Sequence, residues 1–178
     1  LTDRSHPCQV ISDILTIEEN KGDLSKQKLL WIGDGNNVAR SWLEASKLTN
    51  LNLTICTPEN LSFPKDLIES FAKDGANFLV DNNPNTAIKN KSIIITDTWN
   101  SMGDGSVNKE NSLIPYQVNK NLMSKAKKDS VFMHCLPAHR GCEVTEEVID
   151  SKQSLVFEGA ENRLHVQRSI IWWCLNSD

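Results

Sequence analysis

The sequence predicts an α/β fold in which a parallel β-sheet carries helices on both of its faces. Short apolar runs of strand length recur along the 178 residues, and segments with the apolar spacing of helices lie between them. Strands that are apolar throughout are typical of parallel sheets, because helices cover both faces and exclude water from each. The alternation therefore favours a single domain with a Rossmann-like sheet.

Six apolar runs are predicted as strands, at residues 29–32, 51–55, 78–80, 93–96, 131–133 and 155–157. Four segments are predicted as helices, at residues 38–48, 65–74, 113–126 and 158–175. A further helix is expected to begin near Pro7, since proline is typical of a first helical turn. His6 and Gln9 lie one helical turn apart and can face the same ligand from that turn.

The predicted helix at 158–175 ends in a strongly apolar stretch. Ile170, Ile171, Trp172 and Trp173 would cover much of the circumference of its last turns. A solitary surface helix does not tolerate such a stretch, because its apolar side chains would face water. We expect these residues to pack against the core of this domain. The alternative is that they contact a partner domain outside the chain.

Composition and charge exclude several classes of protein. The chain is 39% hydrophobic and 24% charged, which is ordinary for a globular domain and argues against disorder. Its 19 basic and 23 acidic residues give a formal net charge of -4 without a basic block, so nucleic acid is not an expected partner. The longest apolar stretch, residues 170–175, is too short to span a membrane, so no membrane partner is expected.

The cysteines indicate a reducing compartment. They stand at positions 8, 56, 135, 142 and 174, an odd number without a regular disulfide framework. No charged and then apolar leader opens the chain, so we expect a cytoplasmic protein. The chain begins at Leu1 rather than at Met, and we interpret it as a truncated or excised domain.

A segment rich in reactive side chains follows the predicted strand at 131–133. Residues 134–141 read His-Cys-Leu-Pro-Ala-His-Arg-Gly. A thiol, imidazoles and a guanidinium at the carboxyl edge of a buried strand suggest a polar reaction site rather than a core. Cys135 could equally be a small buried hydrophobic residue, as free cysteines often are.

Part of this segment looks superficially like a metal centre. Its possible ligands are His134, Cys135, His139 and Cys142. Their spacing matches no paired zinc motif, and structural zinc sites usually show a second Cys or His pair. No metal site is therefore predicted.

Residues 33–37 read Gly-Asp-Gly-Asn-Asn and lie between the first strand and the helix at 38–48. A dinucleotide fingerprint would need a third glycine, yet Val38 and Ala39 follow, so nucleotide binding is disfavoured. The amides of Asn36 and Asn37, together with free N–H groups at the helix start, could hold a carboxylate. Otherwise these two asparagines only cap the helix.

Asp97 comes directly after the predicted strand at 93–96. A carboxylate at the edge of a buried strand is costly unless a cation pairs with it. The cation could be an ammonium group of a ligand, or an internal lysine or arginine.

Four motifs together resemble the ornithine carbamoyltransferase family. They are His6-Pro7-Cys8-Gln9, residues 97–103, residues 134–141 and Glu161-Asn162-Arg163. They are spread from one end of the chain to the other, so the resemblance covers nearly all of it. It covers only the second half of such an enzyme. Residues 1–178 are therefore expected to form the ornithine-binding domain, with the first, carbamoyl-phosphate-binding domain absent from this chain.

The resemblance implies a reaction and a set of residue roles. Such an enzyme transfers the carbamoyl group of carbamoyl phosphate to the δ-amino group of L-ornithine, giving L-citrulline and phosphate without a metal or organic cofactor. The implied ornithine-binding residues are Asn37, Asp97, Ser101 and Met102. The implied carbamoyl-phosphate-binding residues are His6, Gln9, Cys135, Leu136 and Arg163. Cys135 and Asp97 would help the ammonium lose its proton, since only a neutral amine attacks a carbonyl.

The loop after Ser101 and Met102 carries a further hypothesis. Residues 103–108 are rich in glycine and polar side chains, which indicates a mobile loop. A lid that closes over the substrate is the natural interpretation.

The phosphate-binding half of the reaction has no counterpart in the sequence. The family supplies a Ser-x-Arg-Thr-Arg segment for the phosphate, whereas this chain has none and its five arginines are scattered. We therefore expect the chain alone to show little or no carbamoyl transfer. Family members are usually homotrimers built largely through the first domain, so the assembly of this fragment stays open.

Other functions stay open on the residues alone. The acceptor could be putrescine, agmatine or N-acetylornithine, although a diamine would leave Asn37 without a carboxylate partner. The chain could be a noncatalytic amino-acid-binding module, or a dehydrogenase with an incomplete glycine fingerprint. Arg163 could simply form a salt bridge on a helix surface.

Overall fold

The computed structural model describes residues 1–99 and 109–177, which contain a five-stranded parallel sheet. Its strands are β1 (Lys28–Ile32), β2 (Asn52–Cys56), β3 (Phe78–Asp81), β4 (Ile93–Thr96) and β5 (Val131–His134). They lie in the order β3-β2-β1-β4-β5, and each neighbouring pair is parallel. The predicted α/β class is confirmed.

The helices connect and cover these strands. The α-helices of the described residues are α1 (Pro7–Lys21), α2 (Asn37–Leu48), α3 (Lys65–Lys73), α4 (Pro84–Ala87), α5 (Glu110–Leu113), α6 (Lys120–Met123), α7 (Glu146–Ile149) and α8 (Val156–Asn176). Short 3-10 turns lie at Leu24–Lys26, Glu59–Leu61 and Ile114–Tyr116. No helix in this part of the chain combines the length and the apolar character needed to cross a membrane.

Both faces of the sheet are buried, as the apolar strand runs predict. Leu29 and Trp31 of β1 face one core, which also contains Trp42 of α2. Leu30 and Ile32 of the same strand face a second core on the opposite side. The sheet therefore lies between two apolar layers.

The strand order reverses direction at β1. The chain runs outward from β1 through β2 to β3 and then crosses back to β4, on the other side of β1. Open α/β sheets bind ligands at the carboxyl ends of strands where the order reverses in this way. The loop after β1 and Asp97 after β4 both lie at this switch point.

The prediction of one helix at 113–126 is wrong. The structure has α5, a 3-10 turn and α6 in this region, with an isolated bridge between Val118 and Val144. Pro115 cannot donate a helical hydrogen bond, and the Asn119 side chain accepts from the Leu122 N–H to begin α6 anew. The apolar residues have helical spacing, but Pro115 and Asn119 divide the segment into separate short elements.

The prediction of a strand at 155–157 is also wrong. Phe132 donates its N–H to the carbonyl of Gln153 and accepts the Leu155 N–H, which forms only an isolated bridge between Phe132 and Ser154, and α8 follows at once. Phe157 points outward from the first turn of α8 and is 67% exposed. A short apolar run cannot distinguish a strand from the start of a buried helix.

The long terminal helix is confirmed, but the expected packing of its end is wrong. The first half of α8 buries Val156, Gly159, Asn162 and Val166, and the helix packs closely against α1. Its last turns extend past the body of the domain, where Trp172 and Trp173 are 67% and 63% exposed. These side chains therefore do not belong to the core of this chain.

Candidate functional site

The two glycines after β1 are explained by backbone packing. A Cβ atom on Gly35 would lie 2.6 Å from the carbonyl oxygen of Leu61, a clash that requires glycine. Gly33 has a φ of +137° and would place a Cβ atom 3.3 Å from Thr96 Oγ1. The glycine pair thus brings the loop close to its neighbours without any nucleotide.

Asp97 is buried at the carboxyl end of β4 and accepts three hydrogen bonds from neutral groups. Asn36 Nδ2 donates to Oδ2 at 2.7 Å, while the Thr98 N–H and Cys135 Sγ donate to Oδ1 at 2.7 and 2.6 Å. Among residues 1–99 and 109–177, no lysine or arginine forms a salt bridge with this carboxylate. The internal cation considered as its partner is therefore not found in the described residues.

Cys135 is a hydrogen-bond donor in this structure. Burial and the adjacent Asp97 carboxylate raise the pKa of the thiol well above its ordinary value. The thiol is consequently protonated at neutral pH and points its hydrogen at Asp97. Asp97 and Cys135 were both assigned to proton removal. In the hydrogen bond between them, the Asp97 carboxylate accepts and the Cys135 thiol donates.

The loop after β5 is held by a buried His–Glu pair. His134 Nδ1 accepts the Leu136 N–H at 2.9 Å, and His134 Nε2 lies 3.3 Å from Glu143 Oε1. The same oxygen accepts the His139 N–H at 2.5 Å. Burial alone would raise the pKa of Glu143, but the nearby His134 ring and the hydrogen bond from the His139 N–H outweigh it and lower that pKa.

Leu136 adopts an unusual backbone conformation within this loop. Its φ is +54°, and the Leu136–Pro137 peptide bond is cis. A leucine in the left-handed region is uncommon and is often found where a loop is shaped for function. Because its N–H already donates to His134, its carbonyl group is the backbone group that it can offer to a ligand.

His6 and Gln9 place two unpartnered polar atoms at the start of α1. His6 is the N-cap, and its N–H donates to Ser41 Oγ at 2.7 Å. His6 Nδ1 and Gln9 Oε1 are buried and have no hydrogen-bond partner among the described residues. These two atoms lie one helical turn apart on α1 and are available to a shared ligand.

Arg163 of α8 contributes positive charge to this side of the site. Burial, then the charges of Arg163 and of the chain's amino terminus, lower the pKa of His6, so its imidazole is neutral. The half-buried Arg163 forms no salt bridge within the parts of the chain described above. The surface salt bridge considered for it is thus not found there.

The two asparagines after β1 make different contacts. Asn36 caps α2 by accepting the N–H groups of Val38 and Ala39, and it also contacts Asp97. Asn37 Nδ2 instead donates to the carbonyl oxygen of Thr2 at 2.7 Å. The binding of a ligand carboxylate by Asn37 stays a prediction.

Most of the chain matches a known protein family. Residues 25–174 match the family described as "Aspartate/ornithine carbamoyltransferase, Asp/Orn binding domain". The chain belongs to this aspartate/ornithine carbamoyltransferase family. The match includes Asp97, Cys135 and Arg163 of the candidate site, whereas His6 and Gln9 precede it.

Individual carbamoyltransferases agree with this assignment. The chain is 49% identical to an ornithine carbamoyltransferase of Nitrobacter winogradskyi, covering 99% of this chain and 58% of the relative. The solved ornithine carbamoyltransferase of Pyrococcus furiosus is 42% identical with a TM-score of 0.86, over 95% of this chain and 56% of that chain. The anabolic enzyme of Campylobacter jejuni is 34% identical with a TM-score of 0.89, over 100% and 61%. The chain thus spans a little over half the length of these relatives.

A possible metal cluster in this carbamoyltransferase domain differs from the one considered in the sequence. Ligand atoms of Asp97, His134 and Cys135 lie within 4.8 Å of one another. Both ring nitrogens of His134 face other groups of this chain, since Nδ1 accepts the Leu136 N–H and Nε2 lies 3.3 Å from Glu143 Oε1. His139 instead lies 2.9 Å from Thr98 Oγ1 and is not part of this group.

Some predicted residues lie outside the described part of this carbamoyltransferase domain, and some functional-looking residues were missed. Ser101 and Met102 fall outside the described residues, as does the loop at 103–108 proposed as a lid. Asn36 was treated only as half of an asparagine pair, although it is the one that contacts Asp97. Asp13 was missed altogether, yet it stands four residues after Gln9, the spacing of one helix face.

Proposed function

We propose that this chain is the ornithine-binding, second domain of an ornithine carbamoyltransferase. The complete enzyme transfers the carbamoyl group of carbamoyl phosphate to the δ-amino group of L-ornithine and releases L-citrulline and phosphate. The observation that carries this proposal is the buried Asp97 carboxylate, which is held by neutral donors alone among the described residues. Such a carboxylate is suited to the ammonium of an amino acid.

The acceptor side of the proposed site holds the amino acid. Asp97 binds the α-ammonium group of ornithine, and Asn37 binds its carboxylate together with the start of α2. Ser101 and Met102 complete this pocket in the proposal. Cys135 lies beside the δ-nitrogen, and the Asp97–Cys135 pair assists the loss of the proton that makes this nitrogen nucleophilic.

The carbamoyl side of the proposed site stabilises the reacting carbonyl. The δ-nitrogen attacks the carbamoyl carbon, a tetrahedral intermediate forms, and it collapses with loss of phosphate. Negative charge grows on the carbonyl oxygen during the attack, where His6 donates a hydrogen bond and Arg163 supplies positive charge. Gln9 Oε1 accepts from the carbamoyl nitrogen, and the Leu136 carbonyl contributes to the same group. The reaction needs no metal or organic cofactor.

The phosphate group requires residues from outside this chain. We assign it to a first, carbamoyl-phosphate-binding domain, because this chain lacks the Ser-x-Arg-Thr-Arg segment and spans little more than half of its relatives. The exposed end of α8, with Trp172 and Trp173, contacts that domain in this proposal. The complete enzyme is a homotrimer in the cytoplasm, a compartment consistent with five free cysteines.

The acceptor preference tests this proposal. The protein to use is the joined enzyme, which consists of this chain linked to its native upstream segment. Its kcat/KM is measured at saturating carbamoyl phosphate with ornithine, putrescine and N-acetylornithine. We expect ornithine to be preferred by about a hundredfold or more, since an amine without the α-ammonium or carboxylate leaves buried polar groups unpaired. Preference for another amine would contradict the assignment of the acceptor.

A further inference from the structure

Asp13 is a buried carboxyl group that the proposed reaction does not use. It lies in the second turn of α1 and is 3% exposed. Its Oδ1 accepts a hydrogen bond from Gln9 Nε2 at 2.9 Å. A buried carboxyl group is costly, so its place beside a site residue calls for an explanation.

The contact with Asp13 fixes which end of the Gln9 amide faces the site. A side-chain amide has a donor end and an acceptor end of nearly the same shape, and it can present either one. With Nε2 bound to Asp13, the opposite atom is Oε1, which is buried and has no partner in the described residues. When Asp13 is ionised, rotating the amide by half a turn would set its oxygen against a carboxylate oxygen and remove the hydrogen bond.

The charges that act on Asp13 belong to groups of the proposed site. Burial raises the pKa of Asp13, the hydrogen bond from Gln9 and the positive charge of Arg163 lower it, and the negative charge of Asp97 raises it. Arg163 likewise influences His6. Asp13 therefore shares one electrostatic environment with the groups on both sides of the proposed site.

We propose that Asp13 is a positioning residue, which locks the Gln9 amide so that its oxygen accepts an N–H of the carbamoyl nitrogen. This inference rests on the proposed carbamoyl transfer. Asp13 itself does not touch the substrate. With its orientation fixed in this way, the Gln9 oxygen favours a primary amide over groups that lack N–H donors, because an amide oxygen can only accept.

A double-mutant cycle with Gln9 tests whether Asp13 acts through that residue. The variants are Asp13→Leu, Gln9→Met and their combination, assayed in the joined enzyme for kcat/KM of carbamoyl phosphate. We expect Asp13→Leu to lower this value about thirtyfold in the wild-type background and less than about threefold when Gln9 is already Met. Asp13→Asn keeps an acceptor oxygen for Gln9 Nε2, so we expect it to recover most of the loss. Equal losses in both backgrounds, or no loss at all, would overturn the proposal.

A measurement on the 178-residue chain separates this inference from the proposed function. The side-chain amide of Gln9 is followed by ¹⁵N NMR and assigned with Gln9→Met. We expect Asp13→Leu to shift this resonance and to increase its hydrogen exchange by about tenfold or more, because the amide loses its buried acceptor. An unchanged resonance would overturn the proposal that Asp13 holds the Gln9 amide. If the joined enzyme forms no citrulline, the proposed function fails while this result still decides whether the lock exists. Should Asp13→Leu fail to fold, Asp13→Ala takes its place in both experiments.

Discussion

The two sides of the site differ in whether their buried polar groups are hydrogen-bonded to other described residues of this chain. On the acceptor side, Asp97 is hydrogen-bonded to Asn36, Thr98 and Cys135. On the carbamoyl side, His6 Nδ1 and Gln9 Oε1 are buried without partners in the described residues. The first set is preorganised within this chain, whereas the second is left open for groups that come from elsewhere.

The largest effect is expected from neutralising the acceptor side. Asp97→Asn in the joined enzyme should lower kcat/KM for ornithine by about a thousandfold, since the substrate ammonium loses its buried counter-charge. The matched control is Asp129→Asn, which removes a surface carboxylate that pairs with Lys21. We expect the control to stay within about twofold, as exposed ion pairs contribute little. Equal effects of the two variants would contradict the role of Asp97.

Removing the charge from the carbamoyl side should have the next largest effect. Arg163→Met is expected to reduce kcat by about a hundredfold with a smaller change in KM for ornithine, because the charge acts mainly on the developing oxyanion. Arg168→Met is the control on the same helix, where the guanidinium is exposed. A rise in KM for ornithine with unchanged kcat would place Arg163 on the acceptor side instead.

Substitutions at Cys135 distinguish a thiol that donates a hydrogen bond from a thiolate that acts as a base. Because the thiol donates to Asp97, Cys135→Ser keeps a donor and should lower kcat about threefold, whereas Cys135→Ala should lower it by about tenfold or more. A thiolate base would make serine as poor as alanine, since a serine hydroxyl does not ionise near neutral pH. Equal losses in the two variants would therefore overturn the donor role.

A further prediction concerns Asp13 and is an effect on stability rather than on catalysis. Burial is the main cause that raises the pKa of Asp13 to about 7, with Arg163 opposing it and Asp97 adding to it. A raised carboxyl pKa means that the native state is favoured while the group is protonated and loses this advantage as pH rises through about 7. Asp13→Asn should therefore be more stable than wild type at pH 8 by roughly 1–3 kcal/mol, and the difference should shrink by pH 5.

Urea unfolding of the 178-residue chain at the two pH values measures this difference. Asp23→Asn is a suitable control, because that carboxyl group is exposed at the start of a 3-10 turn. A stability difference for Asp13→Asn that grew toward pH 5 would contradict the expected sign.

The sequence was a better guide to the strands than to the connections. The five core strands were predicted within one residue at each end, because a buried parallel strand must be apolar throughout. Pro115 divided an otherwise regular helical spacing, and residues 155–157 began a helix, since a short apolar run fits both structures. The exposure of Trp172 and Trp173 depends on where α8 leaves the domain, which local spacing does not encode.

The candidate site was predictable where chemistry coincided with a strand end. Asp97 and Cys135 follow β4 and β5, so their proximity follows from adjacent parallel strands. The choice between Asn36 and Asn37 depends on the dihedral angles at the start of α2, which residue identity does not fix. Asp13 lies within a helix, and neither spacing nor composition distinguishes a buried aspartate there from an exposed one.

The central claim is that this chain holds the acceptor and carbamoyl sides of the proposed site and lacks the residues that bind the phosphate. Citrulline formation from ornithine and carbamoyl phosphate, by the joined enzyme and by the 178-residue chain under the same conditions, tests it most directly. We expect the joined enzyme to exceed the chain alone by about a thousandfold or more, because phosphate neutralisation and positioning come from the other domain. Comparable turnover by the chain alone, or no citrulline from the joined enzyme, would contradict the account.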